Sequence, residues 1–203
     1  MTRRTVHLAV YDTFADWEPG FATAQLTQHG HTVRTVGLTT APVTTMGGLR
    51  VQPDLPLADL DPQDSDLLLL TGASLWDTGD TLAPFARAAR VFLEAGVPVA
   101  GICGATAGLA REGLLDDRAH TSAVPFYLAA TGYTGGEHYV DADAVTHPGS
   151  GSEGALITAG PTEPVAFARE ILGLLEVFDP KRLDAWFRLF HDSDEGAYEV
   201  LQG

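Results

Sequence analysis

The sequence predicts an α/β fold: a flavodoxin-like, doubly wound, mostly parallel sheet with helices on both faces, in a single domain over residues 1–203. Three observations carry this prediction. Apolar runs of strand length recur along the chain, VHLAVYD, LLLLT, VPVAGI and GALITAG. Segments of helical periodicity separate them, and parallel strands buried on both faces read as continuous apolar runs. Glycine or proline marks the junctions, where turns and helix ends require them.

The first run, VHLAVYD, leads to a helical pattern that reaches Gln28 and ends at His29-Gly30-His31, where glycine suits the position just past a helix. HTVRTVGL, rich in β-branched residues, is the second strand, and Gly47-Gly48 between β-formers marks a hairpin ribbon. LLLLTGAS is a buried strand. Asp80 to Ala95 forms a helix, with Pro84 in its first turn and Gly96 past its end. VPVAGIC is the next buried strand, and GATAGLAREGLL starts a helix directly after the cysteine without a loop. From Asp116 to Ser152 the periodicity weakens: Val124 to Ala130 reads as a short helix and YVDADAV as an edge strand or hairpin. GALITAG is the last core strand and Thr162 to Phe178 a helix. Pro180 then opens an amphipathic helix bearing Trp186, Phe187 and Phe190, an aromatic stripe suited to packing on a partner subunit. The acidic segment from Asp192 to Glu199 reads as its solvated end. Strands alternating with helices imply right-handed crossovers on both faces of the sheet.

Composition removes several classes of function. Lysine and arginine number 12 against 27 aspartates and glutamates, a net charge of -15 that repels a phosphate backbone or an anionic bilayer. Neither nucleic acid nor membrane is therefore an expected partner. No apolar run approaches the roughly 20 residues of a spanning helix, and the opening MTRRTVHLAVYD lacks the apolar core of a secretory signal. The expected location is cytoplasmic. One cysteine, Cys103, leaves no internal disulfide and no cysteine-based zinc site. His29 and His31 lack further ligands at matching spacing, so no metal is expected, and the chain has no phosphate loop or dinucleotide glycine pattern, so no cofactor is expected either.

Ligands of open α/β sheets gather at the carboxyl ends of the strands. Glu18, Gly72-Ala73 and Cys103 all fall at such ends and are expected to meet in one crevice. A nucleophile on an abrupt strand-to-helix turn projects from the backbone, and the helix N-terminus behind it favours thiolate over thiol. Gly101 and Gly104 permit the turn, and Gly104, Ala105 and Ala107 let the helix approach the sheet. The amides of Ala73 and Gly104 are candidates for an oxyanion hole. Trp76 and Trp17 are candidate walls of the pocket.

VPVAGICGATAGLAREGLLDD followed by HTS, with ADWE after the first strand and LLLLTGASLW in between, resembles the ThiJ/PfpI family of the class I glutamine amidotransferase-like superfamily. The resemblance implies a reactive cysteine at Cys103, a carboxyl that hydrogen-bonds it at Glu18, anion-pocket turns at Gly72, Ala73 and Gly104, and a homodimer. With that contact implied, a carboxylate and a thiolate would repel, so one keeps a proton, and the helix dipole makes Cys103 the expected anion and Glu18 the expected donor. The departures narrow the activity. Protease-like members place a histidine directly after the cysteine, where this chain has Gly104. Glutamine amidotransferases place a His-x-Glu late in the chain, whereas the late histidines here read His147-Pro148-Gly149 and His191-Asp192-Ser193. Other members have a histidine or tyrosine just after a Thr-Thr or Thr-Ser pair; here Ala123 follows Thr121-Ser122, leaving His120 as the substitute. The expectation is a cysteine-dependent hydrolase or lyase acting on a small carbonyl or amide-like compound, with Cys103, Glu18 and His120 as catalytic candidates and without protease or glutaminase activity. The alternative is a redox sensor whose small-molecule partner is an oxidant that takes Cys103 to a sulfenic or sulfinic acid.

Overall fold

Residues 3–202 are described by the structure, a computed structural model. Its strands in chain order are β1 (Thr5–Ala9), β2 (Thr32–Gly37), β3 (Val43–Thr44), β4 (Arg50–Val51), β5 (Leu55–Pro56), β6 (Leu67–Leu70), β7 (Val99–Ile102), β8 (Ala144–His147) and β9 (Leu156–Ala159). Seven form one sheet in the order β5-β2-β1-β6-β7-β9-β8, and β3 and β4 pair apart as an antiparallel ribbon around Gly47-Gly48. Every neighbour pair in the large sheet is parallel except the outermost, β8 with β9. The order of the five inner strands is that of a flavodoxin-like doubly wound sheet, and it reverses direction between β1 and β6. Glu18 follows the first of these strands and Gly72 the second, so the topological switch point lies between them.

The continuous apolar runs have the cause the sequence suggested. β6, β7 and β9 are buried at every residue because helices cover both faces. These helices are α1 (Gly20–Gln28), α2 (Ala83–Glu94), α3 (Gly104–Arg111), α4 (Pro125–Ala129), α5 (Pro164–Leu174), α6 (Pro180–His191) and α7 (Tyr198–Gln202). One layer packs α1 on α5 and α5 on α6; the other packs α2 on α3. Gly30 takes φ +81° just past α1, the left-handed turn that a glycine there accommodates.

Some boundaries differ from the sequence reading, each for a local reason. α2 starts at Ala83, with Pro84 in its first turn, because residues 80–82 form the turn that precedes it. α5 ends at Leu174, where Glu176 at φ 54° bends the chain and the Val177 amide reaches back to the Leu172 carbonyl at 2.9 Å. The acidic tail forms a 3-10 turn at Glu195–Ala197 and then α7. In the aromatic stripe of α6, Trp186 is buried within this chain against Phe21 and Phe190, at ring distances of 6.3 and 5.3 Å. Phe190 alone of the three is largely exposed.

Candidate functional site

Cys103 sits between the last residue of β7 and the first of α3, at φ 58° and ψ -127°. A side chain rarely adopts that backbone, and it persists here because the turn is bonded on both sides. The Cys103 amide donates to the Ala159 carbonyl at 3.0 Å, and the Cys103 carbonyl accepts from the Thr106 amide at 3.1 Å and the Thr106 hydroxyl at 2.6 Å. Thr106 is itself tied to the Ser122 hydroxyl at 2.7 Å. Small residues then bring the helix against its neighbours. A Cβ on Gly101 would lie 2.6 Å from a Leu109 methyl, and one on Gly104 would lie 3.2 Å from the Trp76 indole.

Glu18 lies in the turn after β1, fully buried, with its amide held by the Ala15 carbonyl at 3.2 Å. Its Oε2 accepts the Gly72 amide at 2.6 Å. Its Oε1 meets no N–H or O–H donor among the described residues and faces the Cys103 thiol instead. Gly72 is what allows this approach: a Cβ there would be 2.7 Å from Sγ and 2.9 Å from Oε1.

Burial pushes the Glu18 carboxyl up to about 7, against the opposing pull of the Gly72 amide and the thiol. Burial also pushes the Cys103 thiol up to about 12, with the Glu18 charge and the Glu18 contact adding to it and the Gly104 amide opposing. Both directions run against the charge placement expected from the sequence: burial and the adjacent carboxyl favour the thiol over the thiolate, beside a carboxyl that is about half protonated at neutral pH.

The pocket turns divide their tasks. The Gly72 amide is committed to Glu18, so it is not free to bind an anion. The Gly104 amide faces the sulfur, and the Ala73 amide makes no hydrogen bond to another described residue although Ala73 bridges to Phe14. Trp76 is a buried support and not an exposed wall. Its Nε1 donates to the Thr71 carbonyl at 2.9 Å and the Tyr11 hydroxyl at 3.1 Å, and its ring fills the space over Gly104 and Gly108. Trp17, next to Glu18, is 49% exposed and turns to the surface.

The structure does not join His120 to Cys103. The imidazole is fully buried, with Nδ1 on the Arg118 carbonyl at 2.7 Å, Nε2 on the Tyr133 hydroxyl at 3.3 Å, and the rings of Tyr133 and Tyr139 edge-on around it. Both nitrogens are engaged, and burial lowers the pKa of the ring. Two residues that the sequence reading did not single out belong to this neighbourhood. The Tyr127 hydroxyl on α4 donates to Asp77 at 2.8 Å, and the Asp77 charge adds to the upward push on the thiol. No motif marks them, since they meet from segments 50 residues apart.

Known proteins share this architecture. The chain is 36% identical over 199 residues to a Bacillus subtilis protein called uncharacterized protease YoaZ, covering 93% of this chain and 91% of that one. The crystal structure of a ThiJ/PfpI family protein from Bacillus anthracis superposes with a TM-score of 0.90 at 33% identity, over 100% of this chain and 97% of that one. A DJ-1 superfamily protein from Agrobacterium tumefaciens superposes with a TM-score of 0.82 at 35% identity, over 94% and 98%. Together with the sequence profile of the DJ-1/PfpI family, which matches residues 4–174, these likenesses establish that this chain belongs to the DJ-1/PfpI family.

Proposed function

We propose that this protein adds the Cys103 thiol to the electrophilic carbon of a small neutral carbonyl compound, an aldehyde or 2-oxoaldehyde, with Glu18 as the group that takes and returns the proton. The observation that carries this reading is the free Glu18 Oε1 facing Sγ, on a carboxyl that titrates at about 7. A base with that pKa is half ionised at neutral pH and well placed for proton transfer in either direction. As sulfur attacks, the S–C bond forms, the C=O π bond breaks onto oxygen, and the thiol proton passes to Oε1. The Gly104 and Ala73 amides are the donors for the developing oxyanion. Glu18 then returns the proton to that oxygen, which leaves a hemithioacetal and restores the carboxylate. With a 2-oxoaldehyde, transfer of the C1 proton to C2 through an enediol, with Glu18 as the proton carrier, converts this adduct to a 2-hydroxythioester, and attack of water on the thioester carbonyl releases the 2-hydroxy acid and regenerates the thiol. No external base is needed, which suits a site where no histidine bonds the thiol.

The name protease carried by YoaZ is not extended to this chain. Protease-like members pair the cysteine with a histidine that activates it and protonates the leaving amine, whereas Gly104 stands beside Cys103 here and His120 is bonded elsewhere. That same lack favours a second reading, oxidation. Hydrogen peroxide would convert the thiol to sulfenic acid with release of water, and a second peroxide would give sulfinic acid, whose oxygen a protonated Glu18 would bind.

The test is consumption of a small aldehyde panel near neutral pH by wild type, Glu18→Gln and Cys103→Ser. The carbonyl reading expects catalytic turnover in wild type and its loss in both variants. Turnover that survives Glu18→Gln overturns the proton role. Absence of turnover, with one equivalent of peroxide consumed at Cys103 for sulfenic acid or two for sulfinic acid, moves the assignment to oxidation.

A further inference from the structure

At the same end of the sheet, beyond β9, three side chains from separate segments point at one another. Asp143 immediately precedes β8, Glu163 immediately precedes α5, and His191 is the last residue of α6. Their nearest ligand atoms all lie within 4.8 Å of one another. His191 Nε2 is 3.6 Å from Asp143 Oδ2 and 4.0 Å from Glu163 Oε2. We propose that these three residues form a binding site for one divalent transition-metal ion, with zinc the preferred occupant.

Four features favour a metal over a plain ion pair. The donor set, one imidazole nitrogen and two carboxylate oxygens, is among those zinc takes, with bonds of about 2.0–2.2 Å. A tetrahedral ion with such bonds sets its ligands about 3.4 Å apart, so the 3.6 and 4.0 Å separations from the imidazole need only a small contraction, while the two carboxylate oxygens, within 4.8 Å of each other, close by a side-chain rotation at exposed Asp143. The imidazole is oriented as metal-bound histidines are: the Asp192 carboxylate holds Nδ1 at 2.6 Å, leaving Nε2 toward the pair of acids. Stacking on Phe187, with ring centroids 4.4 Å apart and planes at 20°, fixes the ring further. Finally, Glu163 Oε1 accepts the Thr162 hydroxyl at 2.8 Å, which leaves Oε2 free, and neither Asp143 nor Glu163 pairs with an arginine or lysine among the described residues. Two carboxylates gathered around a single imidazole, with no arginine or lysine beside them, are electrostatically costly until a positive charge joins them, either a proton on the imidazole or a metal ion.

Three protein ligands leave a fourth position for water. The ion would tie α6 to the β8–β9 edge and the start of α5, a stapling role independent of whatever Cys103 does. His191 lies outside residues 4–174, so the family match does not supply this cluster. The sequence reading expected no metal because it looked for ligands at short spacing, and these three converge only in the fold.

The experiment is titration of the chelator-treated full chain with Co2+, read by visible absorption, and with Zn2+, read by calorimetry and thermal shift. A Cys103→Ser background removes the thiol as a competing ligand. The proposal expects one ion per chain, a cobalt spectrum of low coordination number, and a zinc-dependent rise in melting temperature. Asp192→Asn should weaken zinc about tenfold or more, as loss of a group orienting a ligand histidine does. His191→Gln and Asp143→Asn should weaken it further. No saturable binding overturns the site, as does zinc binding that His191→Gln leaves unchanged. Equal binding of Mg2+ and Zn2+ also overturns it, because the carboxylates alone would then be holding a hard cation.

Discussion

Glu18 Oε1 and Cys103 Sγ approach each other across the face of Gly72, where even a methyl group would fall 2.9 Å from the oxygen and 2.7 Å from the sulfur. Gly72 is thus required by space and not by backbone angle, since its φ lies outside the left-handed region. Gly72→Ala must push the pair apart. The expected cost is about 1–3 kcal/mol, typical of overpacking a tight site, together with a thiol titration displaced downward toward the ordinary range because the carboxylate has moved away. A chemical denaturation curve and an alkylation pH profile check both; wild-type values in each would mean the turn yields without disturbing the site.

Removing the charge from Glu18 has an effect on the thiol opposite to the usual loss of an activating base. The carboxylate raises the Cys103 pKa, so Glu18→Gln lowers it from about 12 toward the ordinary thiol value. At about pH 8 the variant therefore carries more thiolate and reacts faster than wild type with a small neutral alkylating agent, while its turnover of a carbonyl substrate falls because the proton acceptor is gone. A variant that alkylates more slowly than wild type would show Glu18 to be lowering the thiol pKa instead.

The same carboxyl makes stability depend on pH. Glu18 titrates at about 7 when folded against an ordinary 4.5. Below about pH 4.5 both folded and unfolded chains hold this proton and the group contributes no pH dependence. As pH rises from there to about 7, the unfolded chain releases the proton and the folded chain keeps it, so the folded state binds more protons and loses stability. Above about pH 7 the loss is complete, on the order of 3 kcal/mol. Glu18→Gln abolishes this term, so its stability relative to wild type should improve by that order between about pH 4.5 and 8. Parallel denaturation curves at the two pH values test it; a constant difference between the proteins would show that Glu18 does not titrate in this window.

How much of this was legible in the sequence follows from how local each cause is. The buried strands announced themselves because a strand covered on both faces has no polar side to show, and LLLL and VAGI are buried throughout. Cys103 and Glu18 were legible as residues at strand ends, where open sheets place their sites. The placement of charge between them was not, because it turns on how deeply Glu18 is buried and which of its oxygens is left over. His120 was misleading for a related reason: its nearness to Thr121-Ser122 in sequence says nothing of the Arg118 carbonyl and Tyr133 hydroxyl that occupy its nitrogens. Asp143, Glu163 and His191 carry no spacing at all that a ligand search would recognise.

Trp76 and Gly108 test how α3 is seated. Alanine is better than glycine in a helix by about 1 kcal/mol, so propensity alone predicts that Gly108→Ala stabilises. The Trp76 six-membered ring occupies the space that the new methyl would need, and both indole hydrogen bonds resist its displacement. Overpacking of about 1–3 kcal/mol outweighs the propensity gain, and the net effect is a loss. Gly108→Ala combined with Trp76→Phe should cost less than the sum of the two single changes, as neighbours sharing one space do. A more stable Gly108→Ala chain would mean that Trp76 moves freely and does not fix the helix behind Cys103.

The backbone at Cys103 provides the last test, because its strain is separable from its thiol. At φ 58° and ψ -127° any side chain with a Cβ is strained, at a typical cost of about 1–3 kcal/mol. Cys103→Ala removes the sulfur and keeps the Cβ, so the strain remains. Cys103→Gly removes both, and the strain relieved exceeds the roughly 0.5–1 kcal/mol that glycine loses in chain entropy. The glycine variant should therefore be more stable than the alanine variant by about 1 kcal/mol, measured by urea denaturation at one pH. An alanine variant as stable as the glycine one would show that the turn relaxes once the thiol is gone. The strain would then be imposed by the sulfur's own contacts with Glu18 and Gly72, and not by the junction of β7 with α3.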